Sequence, residues 1–237
     1  MKFSLCIPMY NEADIIASTA RTLSAYMAEH FSDYELLFID DGSTDGTAAL
    51  VEKLALPRVR VLRYQPYRGK GHAVRTGMLA ATGDIAMFID ADLAYGTGVI
   101  LQAKEQLEGH PEADVLIGSR VLHPEGYSGY TFLRRVASKA YIRVLCLVGG
   151  FRLSDSQCGC KAYRGKAIRD IFSRCQTDGF AFDFETILWA QKLGYGITEM
   201  PVKIINHRAS KVNVLTDTFR MLHELSGMKK RINAAQQ

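Results

Sequence analysis

No stretch of this 237-residue chain approaches the ~20 consecutive apolar residues that a helix needs to cross a bilayer. The longest apolar run, Val144 to Phe151, contains two glycines, so no segment is expected to span a membrane. Only Lys2 precedes the first short apolar run, which Pro8 breaks, and no secretory leader is expected. Cysteines are few and odd in number: Cys6, Cys146, Cys158, Cys160 and Cys175 lack the spacing of a disulfide framework, and Cys158-x-Cys160 is not a C-x2-C zinc pair. They read as reduced thiols in a cytoplasmic setting. Neither sign of charge dominates, with 29 Lys and Arg against 25 Asp and Glu for a net +4, too little to point to nucleic acid, and no nucleic-acid partner is expected. Repeats, low-complexity tracts and linkers are also missing, which favours one domain over 1–237.

What is present is an apolar fraction of 48%, enough for a packed core, distributed in a recognisable rhythm. The runs "FSLCIP", "YELLFID", "RVRVLRY", "DIAMFID" and "ADVLIG" are short and rich in Ile, Val and Phe, as buried strands are. Helical patterns separate them at Glu12–Ala28, Asp45–Leu54, His72–Ala81 and Val99–Leu107. The alternation predicts an α/β fold with a mostly parallel, Rossmann-like sheet flanked by helices. Beyond residue 120 the pattern changes to a basic and aromatic helix over Phe132–Val148, the segment "DSQCGCKAYR", a helix from near Asp183, a strand in "YGITEMPVKI" and a helix over Val214–Met228.

In parallel sheets chemistry gathers beyond the carboxyl ends of the strands, and three such ends are polar here: "PMYNE", "DDGSTDGT" and "DADLAYG". In the second, Ser43, Thr44 and Asp45 can cap the helix that follows, which leaves Asp40 and Asp41 without a structural task and available to a base or ribose. In the third, Asp90 and Asp92 follow an apolar strand. Carboxylates there need a positive partner, and a hard divalent cation shared with a diphosphate, Mg2+ or Mn2+, supplies one. The segment "YRGKGHAVRTG" fits neither the G-x-x-x-x-G-K-[S/T] nor the G-x-G-x-x-G order, so Gly69 and Gly71 are read as shaping a turn that leaves Lys70 free to meet a ligand.

Taken in order, "IPMYNE", "IDDGSTDGT", "RGKGHAVRTG", "ATGDIAMFIDADL", "GSR", "DSQCGCKAY", "FAFDFE" and "HRASK" resemble the family 2 inverting glycosyltransferases of the GT-A fold, and among them the dolichyl- and polyprenyl-phosphate glucosyl- and mannosyltransferases. The resemblance implies an elaborated C-terminal half, with 1–120 binding a nucleotide sugar of the UDP-glucose or GDP-mannose type and 121–237 facing acceptor and membrane. Position by position it implies that Pro8, Tyr10, Glu12 and Asp41 bind base and ribose, that Asp90 touches the nucleotide, and that Asp92 ligates the metal. Arg208 and Lys211 would close over the diphosphate. Asp155 and Gln157 would lie near the sugar, in a "DSQCG" motif that suggests glucosyl more than mannosyl transfer, while Arg120, Arg134 and Ser138 would grip the phosphate of a polyprenyl phosphate acceptor.

A phosphate acceptor has a second pKa near ~6 and needs no base, so Asp183 and Glu185 are expected to orient cations or cap their helix. The helix over Phe132–Val148 carries Arg135, Lys139 and Arg143 at i, i+4 and i+8 beside a wide apolar face, a pattern suited to lying on a membrane surface. Many members of this family have spanning helices, so a membrane-protein partner is a further expectation, with the protein peripheral on the cytoplasmic face. Rival readings are a soluble saccharide or protein acceptor, which would require Asp155, Asp183 or Glu185 as a base, a non-catalytic nucleotide-sugar-binding module, and a nucleotidyltransferase, disfavoured because "PMYNE" replaces a glycine-rich first loop.

Overall fold

The structure, a computed structural model, describes residues 1–127, 132–150, 152–206 and 214–235, with the backbone alone described for 132–138, 141 and 214–223. Its centre is one seven-stranded sheet. The predicted strands appear as β1 (Phe3–Met9), β2 (Tyr34–Asp41), β3 (Val59–Tyr64), β4 (Ile85–Ile89) and β5 (Val115–Ser119), and they are joined by β6 (Cys160–Arg164) and β7 (Ile197–Pro201). The spatial order is β3-β2-β1-β4-β6-β5-β7. Every pairing is parallel except the two made by β6, which runs antiparallel to both β4 and β5.

Helices cover both faces, as the near-continuous apolar strands require. Alternation along the strands decides which side chain meets which layer. Leu5, Ile7, Leu36, Phe38 and Met87 share one apolar cluster with residues of α1 (Ala13–His30), α2 (Thr47–Lys53) and α4 (Gly98–Gly109). Cys6, Leu37, Ile39, Phe88 and Ile117 share the other with α3 (Lys70–Ala80), α5 (Phe132–Gly149), α6 (Gly165–Phe172), α7 (Phe182–Lys192) and α8 (Val214–Ala234). Leu225, Met228 and Ile232 are buried in that second cluster, so the carboxyl-terminal part of α8 is a core helix.

Long cations tie the helix ends together by donating to the last carbonyls, which have no partner inside their own helix. Lys192 Nζ donates to Ile232 O at 2.5 Å and also to Ala235 O at the end of α8, and Lys229 Nζ donates to Val148 O at 3.1 Å at the end of α5. Arg164 performs the same service for α4 through Leu107 O, and also holds the turn after it through Ala113 O at 2.8 Å.

Candidate active site

The crevice lies beyond the carboxyl ends of β1, β2 and β4, and two loops from the first half form its floor. Asn11 N donates to Ser43 Oγ at 2.9 Å, Glu12 N to Thr47 Oγ1 at 2.8 Å and Ala13 N to Asp45 Oδ2 at 3.1 Å. Ser43 and Asp45 were expected to cap the helix that follows them. Both reach the start of α1, because the parallel register brings the two strand ends side by side, and Gly46, the residue before α2, has no side chain to cap it. Asp45 does keep a local role, accepting from Thr47 N at 3.0 Å.

Asp41 also has a structural task that local sequence does not reveal. Its two carboxylate oxygens accept from Arg68 N and Gly69 N, each at 2.8 Å, and the residue is 2% exposed. Asp40 accepts from Ser43 N at 3.3 Å. Above them Tyr10 stacks against Tyr67 with ring centroids 4.3 Å apart. Both rings are exposed, offering aromatic surface of the kind a nucleobase would meet. Tyr67 was not anticipated. Pro8 lies near the end of β1, half-buried, and Glu12 immediately precedes α1.

Asp90 is the first residue beyond β4, and its positive partner is Lys70, whose Nζ lies 2.5 Å from Asp90 Oδ1. Lys70 is thus held by a carboxylate and not free, a correction that follows from α3 starting next to the end of β4. Burial disfavours the Lys70 ammonium, but Asp90, Asp183 and Asp92 outweigh it and hold its pKa above the ordinary lysine value. Asp92 is pushed up from the usual carboxylate range by burial and then by Asp90, against the Ala94 N–H that its Oδ1 accepts at 3.0 Å. Leu93, at φ +50, takes a left-handed conformation that is costly for its side chain and is held by its surroundings. Asn206 Nδ2 donates to Leu93 O at 2.9 Å, and Ile205 N to Ala94 O at 2.8 Å. The segment leading to "HRASK" therefore docks on the Asp92 loop, while Arg208 and Lys211 themselves lie outside the described residues.

The carboxylate pair suits a divalent cation. An ammonium already stands against Asp90, Asp92 carries charge that its neighbours resist, and Gly159 leaves room at the pair, since a Cβ there would fall 2.1 Å from Asp90 Oδ2. Among the described residues no group of three or more His, Cys, Asp or Glu side chains could hold a metal. Two carboxylates completed by water and diphosphate oxygens are an ordinary magnesium environment.

The second half supplies a buried pair. Arg120 donates Nε to Asp155 Oδ2 at 2.6 Å and Nη2 to Asp155 Oδ1 at 3.0 Å, and Asp155 is 0% exposed. Two residues expected to face ligands thus also hold each other. Gln157 N donates to Asp155 Oδ1 at 3.3 Å. Glu199 of β7 fastens the same loop, accepting from Ser154 N at 2.9 Å and Asp155 N at 3.1 Å. The backbone of Arg134 and Ser138 lies in α5.

Asp183 pairs with Lys161, which is 0% exposed, and Glu185 pairs with Arg231 while accepting from Gln176 N at 2.9 Å and Thr177 N at 2.7 Å. Both acids therefore hold cations, as expected. All five cysteines are free and buried, and burial pushes the Cys158 thiol up to about 12, so none is a ready nucleophile.

A doubly flanked, mostly parallel sheet thus carries an Asp-x-Asp at the end of its central β4, where sheets of this class gather their chemistry. The glycosyl transferase family 2 model matches residues 4–172, and the chain belongs to that family; it is a glycosyltransferase. It is similar to dolichyl-phosphate beta-glucosyltransferases from Dictyostelium discoideum, 28% identical over 96% of this chain and 74% of the relative, and from Saccharomyces cerevisiae, 28% identical over 94% and 72%. Among solved structures it resembles mannosyl-3-phosphoglycerate synthase from Rubrobacter xylanophilus, with TM-score 0.74, 18% identity and coverage of 100% of this chain and 76% of that one. Glucosyl-3-phosphoglycerate synthase from Mycobacterium tuberculosis, solved with Mn2+, UDP-glucose and glycerol 3-phosphate, gives 0.71, 18%, 100% and 81%. The GT-A fold is shared with these structures.

Proposed function

We propose that this protein transfers a hexose, glucose ahead of mannose, from a nucleotide diphosphate sugar to a polyprenyl or dolichyl phosphate with inversion at the anomeric carbon. The observation that carries the reading is that the three carboxylates a soluble acceptor would call on as base are each already held by a cation: Asp155 by Arg120, Asp183 by Lys161 and Glu185 by Arg231. A saccharide hydroxyl needs such a base. A phosphate dianion does not, and the similarity to dolichyl-phosphate beta-glucosyltransferases supports the same acceptor.

In this reading Pro8, Tyr10, Glu12 and Asp41 receive base and ribose, and Asp90 and Asp92 hold the diphosphate end of the donor through Mg2+ or Mn2+. That ion, when bound, supplies charge stabilisation to the departing diphosphate. Arg208 and Lys211 close over the same oxygens from the strand of chain docked at Leu93, and Gln157 approaches the sugar from the loop that Asp155 fastens. Arg120, Arg134 and Ser138 face the acceptor phosphate. The fork to Asp155 engages Nε and Nη2 of Arg120 and leaves Nη1 outside it.

The protein works on the cytoplasmic face of a membrane. Among the described residues no helix is long and apolar enough to cross one. On α5, however, Lys139, Arg143, Val144, Leu147 and Val148 are exposed, Leu147 to 75%, while Ile142, Leu145 and Cys146 are buried. At 100° per residue the exposed group forms one outward arc, cationic on one edge and apolar on the other, as an interfacial helix is. A separate membrane protein would strengthen that attachment.

The test is a donor screen with purified protein, Mg2+ or Mn2+ and a short polyprenyl phosphate, read by mass. One hexose added to the lipid phosphate from a UDP- or GDP-sugar is the expected product. Transfer only to soluble saccharides or proteins would overturn the acceptor, and nucleotide-sugar binding without any transfer would overturn the reaction.

A further inference from the structure

Behind the carboxylate pair, four alternating charges run from the core to the crevice. Lys161 projects from β6 with no exposure, donating to Cys158 O at 3.1 Å and pairing with Asp183 Oδ1 of α7. Lys70 rests on Asp90 Oδ1 at 2.5 Å, and Asp183, beyond ion-pair distance, adds to the field that favours its charged form. Lys70 therefore has an anion in front of it and another behind.

Its backbone is fixed while its side chain is partly open to solvent. Gly71 N donates to Asp178 O at 2.7 Å, and a Cβ at Gly69 or Gly71 would lie 2.5 Å from Asp178 O or 2.4 Å from Thr177 O, so the chain on either side is packed against the 177–179 backbone. The Lys70 side chain is 23% exposed and that of Asp90 is 32% exposed. A flexible stem carrying a compact point charge can exchange one carboxylate for another without moving the main chain.

We propose that Lys70 is a placeholder cation: in the donor-free protein it neutralises Asp90, and when a divalent cation arrives with the donor diphosphate it withdraws toward Asp183, which Lys161 anchors as a rear seat. The inference rests on the metal reading given above. It resolves a conflict in the site. Asp90 and Asp92 without a cation would repel each other, whereas an ammonium fixed permanently on Asp90 would oppose every divalent ion that entered. With two seats Asp90 faces a cation in both states, and the positive charge that a divalent ion adds is balanced by the donor diphosphate, so metal is taken up well only together with nucleotide. Asp183 and Lys161 are then positioning residues that touch neither substrate nor metal.

The experiment is Mn2+ binding to the full chain, followed by the spin resonance signal of free Mn2+ without turnover, alone and with UDP or GDP as probes. Without nucleotide, Lys70→Met and Lys70→Gln should bind Mn2+ about tenfold more tightly than wild type, while Lys70→Arg, which keeps the charge, should bind no more tightly. With nucleotide, Asp183→Asn should bind Mn2+ more weakly than wild type, an effect opposite in sign to that of the Lys70 variants and not expected from general loosening. Circular dichroism confirms which variants are folded, and the Gln variant keeps a polar head at Asp90 should the Met variant fail. Lys70→Gln binding no more tightly than wild type, or Lys70→Arg tightening as much as Lys70→Gln, would overturn the placeholder. Wild type taking up no Mn2+ with either nucleotide, and Asp92→Asn behaving identically, would overturn the metal reading beneath it.

Discussion

Replacing Arg120 by methionine tests whether its buried ion pair with Asp155 is structural. Asp155 has no exposure and receives two guanidinium hydrogen bonds, at 2.6 and 3.0 Å. What remains to it in the variant is two long backbone contacts, from Arg120 N and Gln157 N, both at 3.3 Å. These cannot compensate a buried carboxylate. Breaking one side of such a pair costs about 3–5 kcal/mol. In a domain of this size each kcal/mol shifts the midpoint by about 2–4 °C, so Arg120→Met should melt roughly 6–20 °C below wild type. Adding Asp155→Asn removes the stranded charge and should recover much of the loss, giving a coupling energy of about 2–3 kcal/mol in a double-mutant cycle. Urea unfolding followed by circular dichroism, at constant m-value, measures all four corners. A loss below about 1 kcal/mol for Arg120→Met, or strictly additive variants, would refute the reasoning. Arg120 would then belong to the acceptor alone, and its removal should raise the acceptor KM without lowering the melting temperature.

Asp92→Asn should abolish turnover yet melt no lower than wild type at pH 7. Because the folded-state pKa of Asp92 is raised, its favourable contribution is complete below the unfolded value and is lost as pH rises through the folded one; at neutral pH the ionised side chain works against the fold, and a lower melting temperature for the variant would contradict this. Gly159→Ala should reduce turnover and cost about 1–3 kcal/mol in urea unfolding, since its Cβ would meet Asp90 Oδ2 at 2.1 Å; wild-type behaviour in both would mean that the contact is soft. Reversing Arg135, Lys139 and Arg143 to Glu should release the protein from anionic liposomes at low salt, each cation contributing about 1 kcal/mol, while nucleotide-sugar binding persists. Co-sedimentation decides it, and equal pelleting of the variant would remove α5 from the membrane.

Of the first five strands, four were readable as short runs with an apolar stretch at their centre and β3 by its alternation of Val and Leu with Arg60 and Arg63, and the helices between them keep their own period. β6 was not readable as a strand. Its segment "CKAYR" carries a lysine at a fully buried position, where Lys161 faces Asp183 across the core, and a buried charge disguises the apolar signature. The acidic residues of the site were visible at the strand ends, but their partners were not. Asp41 answers to backbone N–H groups at residues 68 and 69, and Asp90 to a lysine twenty residues earlier. Such pairings depend on which strand ends lie side by side, and sequence order alone does not state that. Gly159 left a faint signal, a glycine between two buried cysteines in "CGC", which a search for backbone crowding would have flagged.

The placement of β6 has a consequence for how the chain is made. A ribosome delivers β4 and β5 well before Cys160, yet the gap between those two strands is filled by β6 alone. Until about residue 164 has cleared the exit tunnel, β5 has no neighbour on that side and β4 shows an unpaired edge. A nascent chain with residues up to about 120 outside the tunnel would thus expose open, apolar strand edges, the kind of surface that recruits chaperones or aggregates. Closing the sheet joins residues 85–89 to residues 160–164, a long loop to close, which places this step among the slow ones in folding.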